Sequence, residues 1–499
     1  MNKTKLLLVY PEVECSVTSA HTYSLPLGLG AIATYCKEKF GDSLDIKILD
    51  GSLLNHEEQL RETKRFCPNI TGVNPTIASQ RKAYEIARLA KDLGSFVVFG
   101  GVHSSATWDN GKEGMWINML TNRDFIDGVV LHEGEIPMFV IINRLRERGV
   151  LEDTCFEGIP NFAFKDNGGK IHKPSLIHVP HLNNLPDIDY SLFDLKRFFE
   201  QTESRGFGKA VTYYAGKGCA KRGGRDLKRF YTFDEYNALV ASMDICTFCG
   251  RNELGFRNME EDREAKVLRE LHDRYGARGF FNVQDTINLG HTFPLGLNDS
   301  WFRLFIGTES ITPENIARLK QRYGPNLIFQ AGVESATPEM RNVFGKTEID
   351  AGSLTQRVEL MRDEGVQLHA SFILGGRGET KDSMRRTTES ARRLAEYNNV
   401  TWILISPQLI LPGSPDYKAF LQMPKMYRRY AKEDLIDIPR INQDFLGQFS
   451  PSLRRGDVLE EIRQTFEDIG TERKDVILDV KGVVGDEESY IKPNRPYAS

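Results

Sequence analysis

Two cysteines separated by two residues, Cys246 and Cys249, have the spacing in this chain that most directly suggests metal or redox chemistry. A C-x-x-C pair can bind zinc, act as a redox dithiol or hold two irons of an iron–sulfur cluster. Zinc would require a second pair, and the sequence contains none. A dithiol of the thioredoxin type would require the pair to open a helix after a strand. Ligation of a cluster would need one more thiolate, and the nearest upstream candidate is Cys219.

The 26 residues between Cys219 and Cys246 decide whether these cysteines can act together. Apolar side chains recur at helical spacing from Phe233 onward, and Thr232 with Glu235 forms a capping-box signature before them. An ordered helix can return the chain, and lengthening a loop from 3 to 26 residues costs only roughly 2 kcal/mol of closure entropy. Three thiolates on a four-iron cluster would leave one iron open, as catalysis needs. The alternative is a lone buried cysteine at position 219.

Length and composition limit the class of protein. The 499 residues suffice for about three domains, and 40% apolar with 27% charged residues fit a globular protein with large cores. A formal net charge of −4 gives no broad basic field, so we do not expect nucleic acid as a partner. Seven cysteines in so long a chain do not make a secreted disulfide scaffold. Without a signal-peptide core or a run of about 18 apolar residues, the chain is expected to be cytoplasmic and to contact no membrane.

Residues 1–150 alternate short apolar runs with amphipathic segments, which predicts strands and helices in turn. Five such units indicate an open parallel sheet with helices on both faces. Ligands of such sheets bind beyond the carboxyl ends of the strands. The residues predicted at this edge that suit a ligand site are Pro26, Gly28, Thr76, Gly100, Gly101, His103, Glu133, Gly134 and Glu135.

The rest of the chain is divided into three parts by its patterning. Residues 151–205 are less regular, contain a hairpin-turn signal in KDNGGKIHKP, and are predicted to form a linker. Residues 206–440 alternate strands and helices again, which predicts a second parallel α/β unit of about six strands, a partial barrel. Residues 441–499 are predicted to form a small, mainly helical segment, with one helix over GDVLEEIRQTFEDIG.

The motifs of both units, taken in order, resemble those of the cobalamin-dependent radical S-adenosylmethionine (SAM) enzymes over about residues 5–420. The strings GKGCAKRGG and CTFCG are similar to that family's cysteine motif at the first barrel strand, with an insertion after the first cysteine. Downstream, this chain has four segments similar to the later strand ends of the family: NVQDT, FQAGVESATPEMRNVFGK, FILGGRGET and LILPGSPDY. Upstream, this chain has three segments similar to the family's cobalamin-binding domain: LPLGLGAIATY, VVFGGVHSSA and VVLHEGEIPMF. A departure is Arg377, where the family often has proline; we expect a solvated side chain there.

The resemblance implies a Rossmann-like cobalamin-binding domain over residues 1–150 and a partial (β/α)6 radical SAM barrel over residues 206–440. It also implies that Cys219, Cys246 and Cys249 hold a [4Fe–4S] cluster. The open iron of that cluster would bind the amino and carboxylate groups of SAM. Phe248, which lies between two of the ligands, would pack on the adenine.

Further SAM contacts implied by the resemblance lie at predicted strand ends. Asp285, Glu334 and Ser335 would accept hydrogen bonds from the SAM amino group and the ribose hydroxyls. Gly375 and Gly376 would let the backbone approach the adenosine closely. From the residues alone, the two carboxylates could equally be capping or turn groups and the two glycines a plain turn.

The cobalamin contacts implied by the resemblance are mainly backbone contacts. Gly100, Gly101 and Gly134 would let the main chain approach the corrin ring or its nucleotide tail. Other cobalamin proteins carry a D-x-H-x-x-G motif, which is absent from this sequence. We therefore expect cobalt without a histidine lower ligand, and His103 as a loop residue or a tail contact.

The activity implied by the resemblance is methylation of an unactivated carbon of a small-molecule biosynthetic intermediate. The cluster would cleave SAM to a 5′-deoxyadenosyl radical, methylcobalamin would deliver the methyl group, and an external reductant such as flavodoxin or ferredoxin would supply electrons. The same cofactors could instead serve a radical cyclisation or rearrangement without methyl transfer. A candidate of another class is a corrinoid-binding sensor or carrier with a decayed cluster motif, against which the intact C-x-x-C argues.

Overall fold

The chain forms two α/β units, and the computed structural model describes residues 3–13, 24–149, 155–179, 181–220, 228–242, 245–251, 255–346, 351–480 and 483. The strands of the first unit are β1 (Thr4–Tyr10), β2 (Leu44–Asp50), β3 (Ile70–Val73), β4 (Phe96–Phe99), β5 (Thr107–Trp108), β6 (Glu113–Gly114), β7 (Gly128–Val130), β8 (Phe162–Lys165) and β9 (Ile171–His172). Its helices are α1 (Leu27–Phe40), α2 (His56–Phe66), α3 (Gln80–Asp92), α4 (Gly101–Ser104), α5 (Met115–Asn122) and α6 (Glu135–Arg148).

The first sheet has the strand order β2-β1-β3-β4-β7-β8-β9. The first five strands in that order are parallel, as predicted, and β8 and β9 add an antiparallel hairpin at the edge, where the sequence signals a turn. The last five residues of β1 are all buried, which is typical of a parallel strand covered on both faces. The helix α2 begins at a capping box formed by Asn55 and Glu58, and α6 ends at Gly149 in the left-handed conformation.

A connector leads to the second unit and contains β10 (Leu176–Ile177) and α7 (Leu195–Glu203). The strands that follow are β11 (Ala210–Tyr213), β12 (Gly216–Gly218), β13 (Phe230–Tyr231), β14 (Phe256–Asn258), β15 (Gly279–Asn282), β16 (Trp301–Ile306), β17 (Leu327–Glu334), β18 (Gln367–Leu374), β19 (Val400–Pro407) and β20 (Ile477–Asp479). The helices are α8 (Phe233–Ala241), α9 (Glu261–Tyr275), α10 (Pro313–Tyr323), α11 (Pro338–Val343), α12 (Ala351–Asp363), α13 (Lys381–Ala395), α14 (Pro415–Leu421), α15 (Pro424–Tyr430), α16 (Ile438–Phe449) and α17 (Arg455–Glu472).

The second sheet has the order β11-β15-β16-β17-β18-β19-β20 and is parallel at every described pairing. This is the half-barrel that the sequence predicts, with six strands before residue 440. The short strand β20 extends it with residues from the segment predicted to be mainly helical. A strand of only three residues offers too few positions for a period-two pattern, so the sequence does not reveal it.

The two units share buried contacts along their length. The backbone N–H of Leu25, before α1, donates to Oγ1 of Thr212 in β11, at 2.9 Å. The hydroxyl of Tyr84 in α3 donates to the carbonyl of Asp434, at 3.0 Å. The domain boundaries at residues 150, 205 and 440 stay predictions. In the described ranges, no helix combines the length and apolar character needed to cross a bilayer.

Candidate functional site

The two ends of the long cysteine segment are brought together by a small hairpin. Cys219 directly follows β12, whereas Cys246 and Cys249 lie in the stretch that leads to β14. The strands β12 and β14 pair antiparallel, with Gly218 opposite Phe256. The N–H of Cys249 donates to the carbonyl of Cys246 at 3.0 Å, which closes the C-x-x-C turn. The chain therefore makes the return that a shared cluster requires.

The loop after β15 contacts both ends of this segment. The Sγ of Cys219 lies 3.7 Å from Oγ1 of Thr286. The neighbouring Asp285 forms an ion pair with Arg251, two residues beyond Cys249, at 3.0 Å. Asp285 therefore lies at the predicted site, and its carboxylate joins the cysteine loop to the end of the adjacent strand.

The three thiols fit an iron–sulfur cluster by type, exposure and place. All three are partly exposed at the carboxyl end of the half-barrel, whereas Cys36 and Cys155 are buried in other parts of the chain. Within the ranges that the structure covers, no three His, Cys, Asp or Glu side chains converge closely enough to hold a single metal ion.

Lys346 places a positive charge beside the cysteine loop. Its Nζ lies 3.0 Å from Oε1 of Glu334 and 5.8 Å from the centre of the Phe248 ring. Burial opposes this charge, but Glu334 and then Cys246 outweigh it and raise the pKa of the Lys346 ammonium. A neighbouring cation favours the thiolate form of cysteine, which is the form that binds metal. The sequence interpretation missed Lys346, because only its place at the end of NVFGK could have drawn attention to it.

Glu334 is the last residue of β17 and Ser335 follows it, and the two side chains lie in different environments. Glu334 has a φ of +60°, a conformation that is costly for a residue with a side chain and is concentrated at functional sites. Ser335 is fully buried, and its hydroxyl bonds to the hydroxyls of Thr337 and Thr387 at 3.2 and 2.8 Å. The Ser335 hydroxyl is thus engaged within the protein, and its contact with SAM stays a prediction.

The C-x-x-C loop and the loop after β18, both predicted to contact SAM, meet at Phe344 in the turn after α11. The Phe248 ring packs edge-on against Phe344, with centroids 5.7 Å apart. The N–H of Thr247 donates to the Phe344 carbonyl at 3.3 Å. A Cβ at Gly376 would lie only 2.6 Å from the Phe344 ring, so only glycine allows this approach. The C-x-x-C loop, the turn after α11 and the loop after β18 therefore form one wall.

The loop after β18 is closed by a carboxylate that the sequence interpretation missed. Gly375 has a φ of +85°, and Glu379 accepts hydrogen bonds from the N–H groups of Gly375 and Gly376. Burial raises the pKa of Glu379 to about 7, even though these two bonds favour the ionised form. The signal in the sequence is the glutamate four residues after Gly375 in GGRGE.

The Glu379→Gln variant should show a flatter dependence of stability on pH. The carboxyl has a pKa near 4.5 when unfolded and about 7 when folded, so the folded state binds more protons between these values. Its contribution to stability is complete below about pH 4.5 and falls by roughly 3 kcal/mol as the pH rises to 7. Melting temperatures between pH 5 and about 7.5 test this, with Glu389→Gln on the exposed face of α13 as the control. A Glu379→Gln variant with the wild-type slope would contradict the assignment.

Two ion pairs join the carboxyl edge of the first sheet to the β12–β14 hairpin. Glu133, beyond β7, accepts from the N–H of Val179 at 2.8 Å and pairs with Arg257 in β14. Glu135 lies 3.5 Å from Nζ of Lys217 in β12, two residues before Cys219. Burial opposes the Lys217 charge, but Glu135 outweighs it and raises the pKa of the ammonium. These two carboxylates, predicted to bind a cofactor, thus join the first unit to the hairpin whose two strands flank the three cysteines in the chain.

Small residues form the rest of this edge of the first sheet. Gly101 has a φ of +86°, and the space of a Cβ there is taken by the Asn74 side chain, so the loops after β3 and β4 touch. The backbone of Gly100 is extended, and the Thr76 hydroxyl bonds to that of Ser79 at 3.2 Å. Backbone exposed at adjacent strand ends suits a large flat ligand such as a corrin.

The start of α1 and the start of α6 complete this edge. Pro26 directly precedes α1, and the space beside Gly28 is open. A Cβ at Gly134 would lie 2.6 Å from Cδ1 of Ile32 in α1, so this glycine allows α1 and α6 to approach. Gly28 therefore leaves open space at this edge and its contact with a cofactor stays a prediction, whereas Gly134 has a packing role.

His103 should not be a cobalt ligand. The residue is only 8% exposed, its Nε2 contacts the side-chain amide of Gln80, and burial lowers the pKa of the imidazole to about 4. Electron paramagnetic resonance of the cob(II)alamin form should therefore be the same for wild type and His103→Ala. Nitrogen superhyperfine splitting that disappears in the variant would contradict this prediction.

Comparisons with known proteins agree with this architecture. No protein-family model matches the chain. In sequence it is similar to an uncharacterized methyltransferase of Pyrococcus horikoshii, with 25% identity over 413 residues that cover 79% of each protein. In structure it is similar to the radical SAM methyltransferase TsrM from Kitasatospora setae, solved with cobalamin and a [4Fe–4S] cluster, with a TM-score of 0.58 and 15% identity over 83% of this chain and 74% of that one.

A second similar structure is the cobalamin-dependent SAM radical enzyme OxsB, solved with aqua-cobalamin. The TM-score is 0.56 and the identity 16%, over 79% of this chain and 52% of that one. Both matches extend over the two units described above, in the same chain. The recognition made from the motifs is confirmed: this chain has the fold of the cobalamin-dependent radical SAM enzymes.

Proposed function

We propose that this chain is a cobalamin-dependent radical SAM enzyme that methylates an unactivated carbon of a small molecule. The observation that carries the proposal is the junction of the first unit with the β12–β14 hairpin, which carries the three cysteines between its strands. The pairs Arg257–Glu133 and Lys217–Glu135 join this hairpin to the loop after β7 and to the start of α6. This junction brings a thiol-rich loop and a glycine-rich strand edge to the same place. Each suits one of two cofactors that must act on one substrate.

The residues of this chain would divide the work of holding those cofactors. When bound, the [4Fe–4S] cluster would supply the electron that cleaves SAM, and cobalamin would supply the methyl group. Cys219, Cys246 and Cys249 would hold the cluster, with the Lys346 ammonium beside the cysteine loop, 5.8 Å from the centre of the Phe248 ring. Phe248, packed on Phe344, would present an apolar face to the adenine and keep water away.

Similarity supports methyl transfer over the alternatives. The relative from Pyrococcus horikoshii and TsrM are both named methyltransferases, whereas OxsB is named only a radical enzyme. Cyclisation or rearrangement with the same cofactors is the alternative within this class. A small-molecule substrate and an external one-electron donor such as flavodoxin or ferredoxin complete the proposal.

Cofactor binding tests the proposal against a corrinoid sensor or carrier. Protein reconstituted under anaerobic conditions with iron, sulfide and hydroxocobalamin should bind about four irons and about one cobalamin per chain. After reduction it should cleave SAM to 5′-deoxyadenosine. Protein that binds cobalamin but neither iron nor SAM would instead support the sensor or carrier.

A further inference from the structure

The segment that separates Cys219 from Cys246 folds against other parts of the chain over its described residues, 228–242. Its strand β13 pairs antiparallel with β10 of the connector. Its helix α8 begins at the capping box predicted from the sequence, because Glu235 N–H donates to Thr232 Oγ1 at 3.2 Å and Thr232 N–H to Glu235 Oε2 at 2.9 Å. An ordered helix in this place needs a further reason than loop closure, since a short loop would connect two cluster ligands equally well.

Two aromatic side chains of α8, Phe233 and Tyr236, pack on the first unit. The Phe233 ring lies 5.5 Å from that of Trp116 in α5, and the Tyr236 ring lies 4.3 Å from that of His132. The Tyr236 hydroxyl is 3.3 Å from Nδ1 of His132. Phe233 and Tyr236 are only 6% and 3% exposed, so this contact is a real interface.

His132 stands at the edge of the first sheet where ligands of parallel sheets bind. It lies two residues beyond β7, and its φ of +63° is a conformation that a side chain makes costly. Its N–H donates to Oγ of Ser105, beyond β4, at 3.0 Å. The helix α8 thus lies beside the carboxyl ends of β4 and β7, next to the glycine-rich loops that suit a corrin.

The same segment carries cluster ligands at its two ends. Cys219 precedes it, and Cys246 follows it. A helix packed on the first unit therefore lies in the chain between two predicted ligands of the cluster. A packed aromatic contact is well suited to holding this helix in place, because close-packed side chains leave little room for movement.

We propose that α8 forms one wall of the cobalamin site, with the partly exposed His132 as the side chain that contacts the corrinoid and Tyr236 as the residue that holds His132 in position. The long spacing between the first two cluster cysteines exists because the segment between them serves the second cofactor. This inference rests on the proposed function, since it requires that the first unit binds cobalamin.

Affinity for hydroxocobalamin, measured by ultrafiltration with the full-length reconstituted protein, tests the inference. Tyr236→Ala should raise the Kd by about tenfold or more, while the protein keeps about four irons per chain. Tyr236→Phe keeps the packed ring and removes only the hydroxyl, so it should fold normally and change the cob(II)alamin paramagnetic resonance spectrum. Phe230→Ala is the matched control, because Phe230 lies in the same segment but is 61% exposed.

The outcomes separate this inference from the function on which it rests. If Tyr236→Ala binds hydroxocobalamin as wild type does and Tyr236→Phe leaves the cob(II)alamin spectrum unchanged, α8 is not a wall of the cobalamin site. The proposed function would still stand. If Tyr236→Phe loses iron together with cobalamin, the helix supports the fold in general, and the inference is also overturned. If wild type itself binds no hydroxocobalamin, the proposed function fails first.

Discussion

Replacing Cys219 with alanine should remove the iron–sulfur cluster, although 26 residues separate this cysteine from the next ligand. The antiparallel pairing of β12 with β14 returns the chain so that Cys219 and the C-x-x-C turn flank one region. The contacts of Cys219 with Thr286 and of Arg251 with Asp285 place both on the same strand-end loop. Two thiolates cannot replace three on a cluster that must also keep one iron open for SAM.

Iron and sulfide per chain, measured after anaerobic reconstitution of single-alanine variants, test this prediction. Wild type should hold about four irons, and Cys219→Ala, Cys246→Ala or Cys249→Ala should hold fewer than about one each. All three should also lose reductive cleavage of SAM. The controls are the four remaining cysteines, which should be dispensable for the cluster: Cys36, Cys67 and Cys155 in the first unit and beside it, and Cys15, which lies outside the described residues. Full iron content and SAM cleavage in Cys219→Ala would show that the long-spacing assignment is wrong.

Features that depend on neighbouring residues were predictable from the sequence. The five parallel strands of the first sheet and the six before residue 440 follow from apolar runs, and the start of α8 follows from the Thr232–Glu235 capping box. Helix capping, strand periodicity and turn formation depend on residues that are close together in the chain, so a short stretch of sequence is enough to predict them.

Features that depend on contacts between distant residues were not predictable. No sequence pattern indicates that Lys346 forms an ion pair with Glu334. The same is true of the hydrogen bond from the Gly375 N–H to Glu379. The sequence drew attention to His103, yet the structure buries it against Gln80 and places His132 beside α8 instead. A histidine at a strand end can face the sheet, a neighbouring helix or the ligand, and only tertiary packing decides among these.

With SAM deuterated at its methyl group, the product should gain three deuterons while the substrate loses one hydrogen. On the proposed function, two molecules of SAM would serve two chemistries in each turnover. The cluster, held by the three cysteines, would supply one electron to the sulfonium of the first SAM, which would give methionine and a radical that takes one substrate hydrogen to form 5′-deoxyadenosine. Cobalamin would supply a nucleophile for the methyl group of the second SAM, which would leave as S-adenosylhomocysteine. Each turnover should therefore release one 5′-deoxyadenosine and one S-adenosylhomocysteine.

On the proposed function, the junction of the first unit with the β12–β14 hairpin would let both chemistries serve one substrate. The pairs Arg257–Glu133 and Lys217–Glu135 join the hairpin that carries the cysteines to the edge of the first sheet, so a substrate held there would be reached from both sides. Mass spectrometry of reactions with candidate substrates from the genomic neighbourhood measures the label and both SAM products. Cys246→Ala should form no 5′-deoxyadenosine, whereas the control Cys36→Ala, buried in the first unit, should keep the wild-type ratio if it folds. Product formed with 5′-deoxyadenosine but without S-adenosylhomocysteine would exclude methyl transfer and leave cyclisation or rearrangement as the activity of this site.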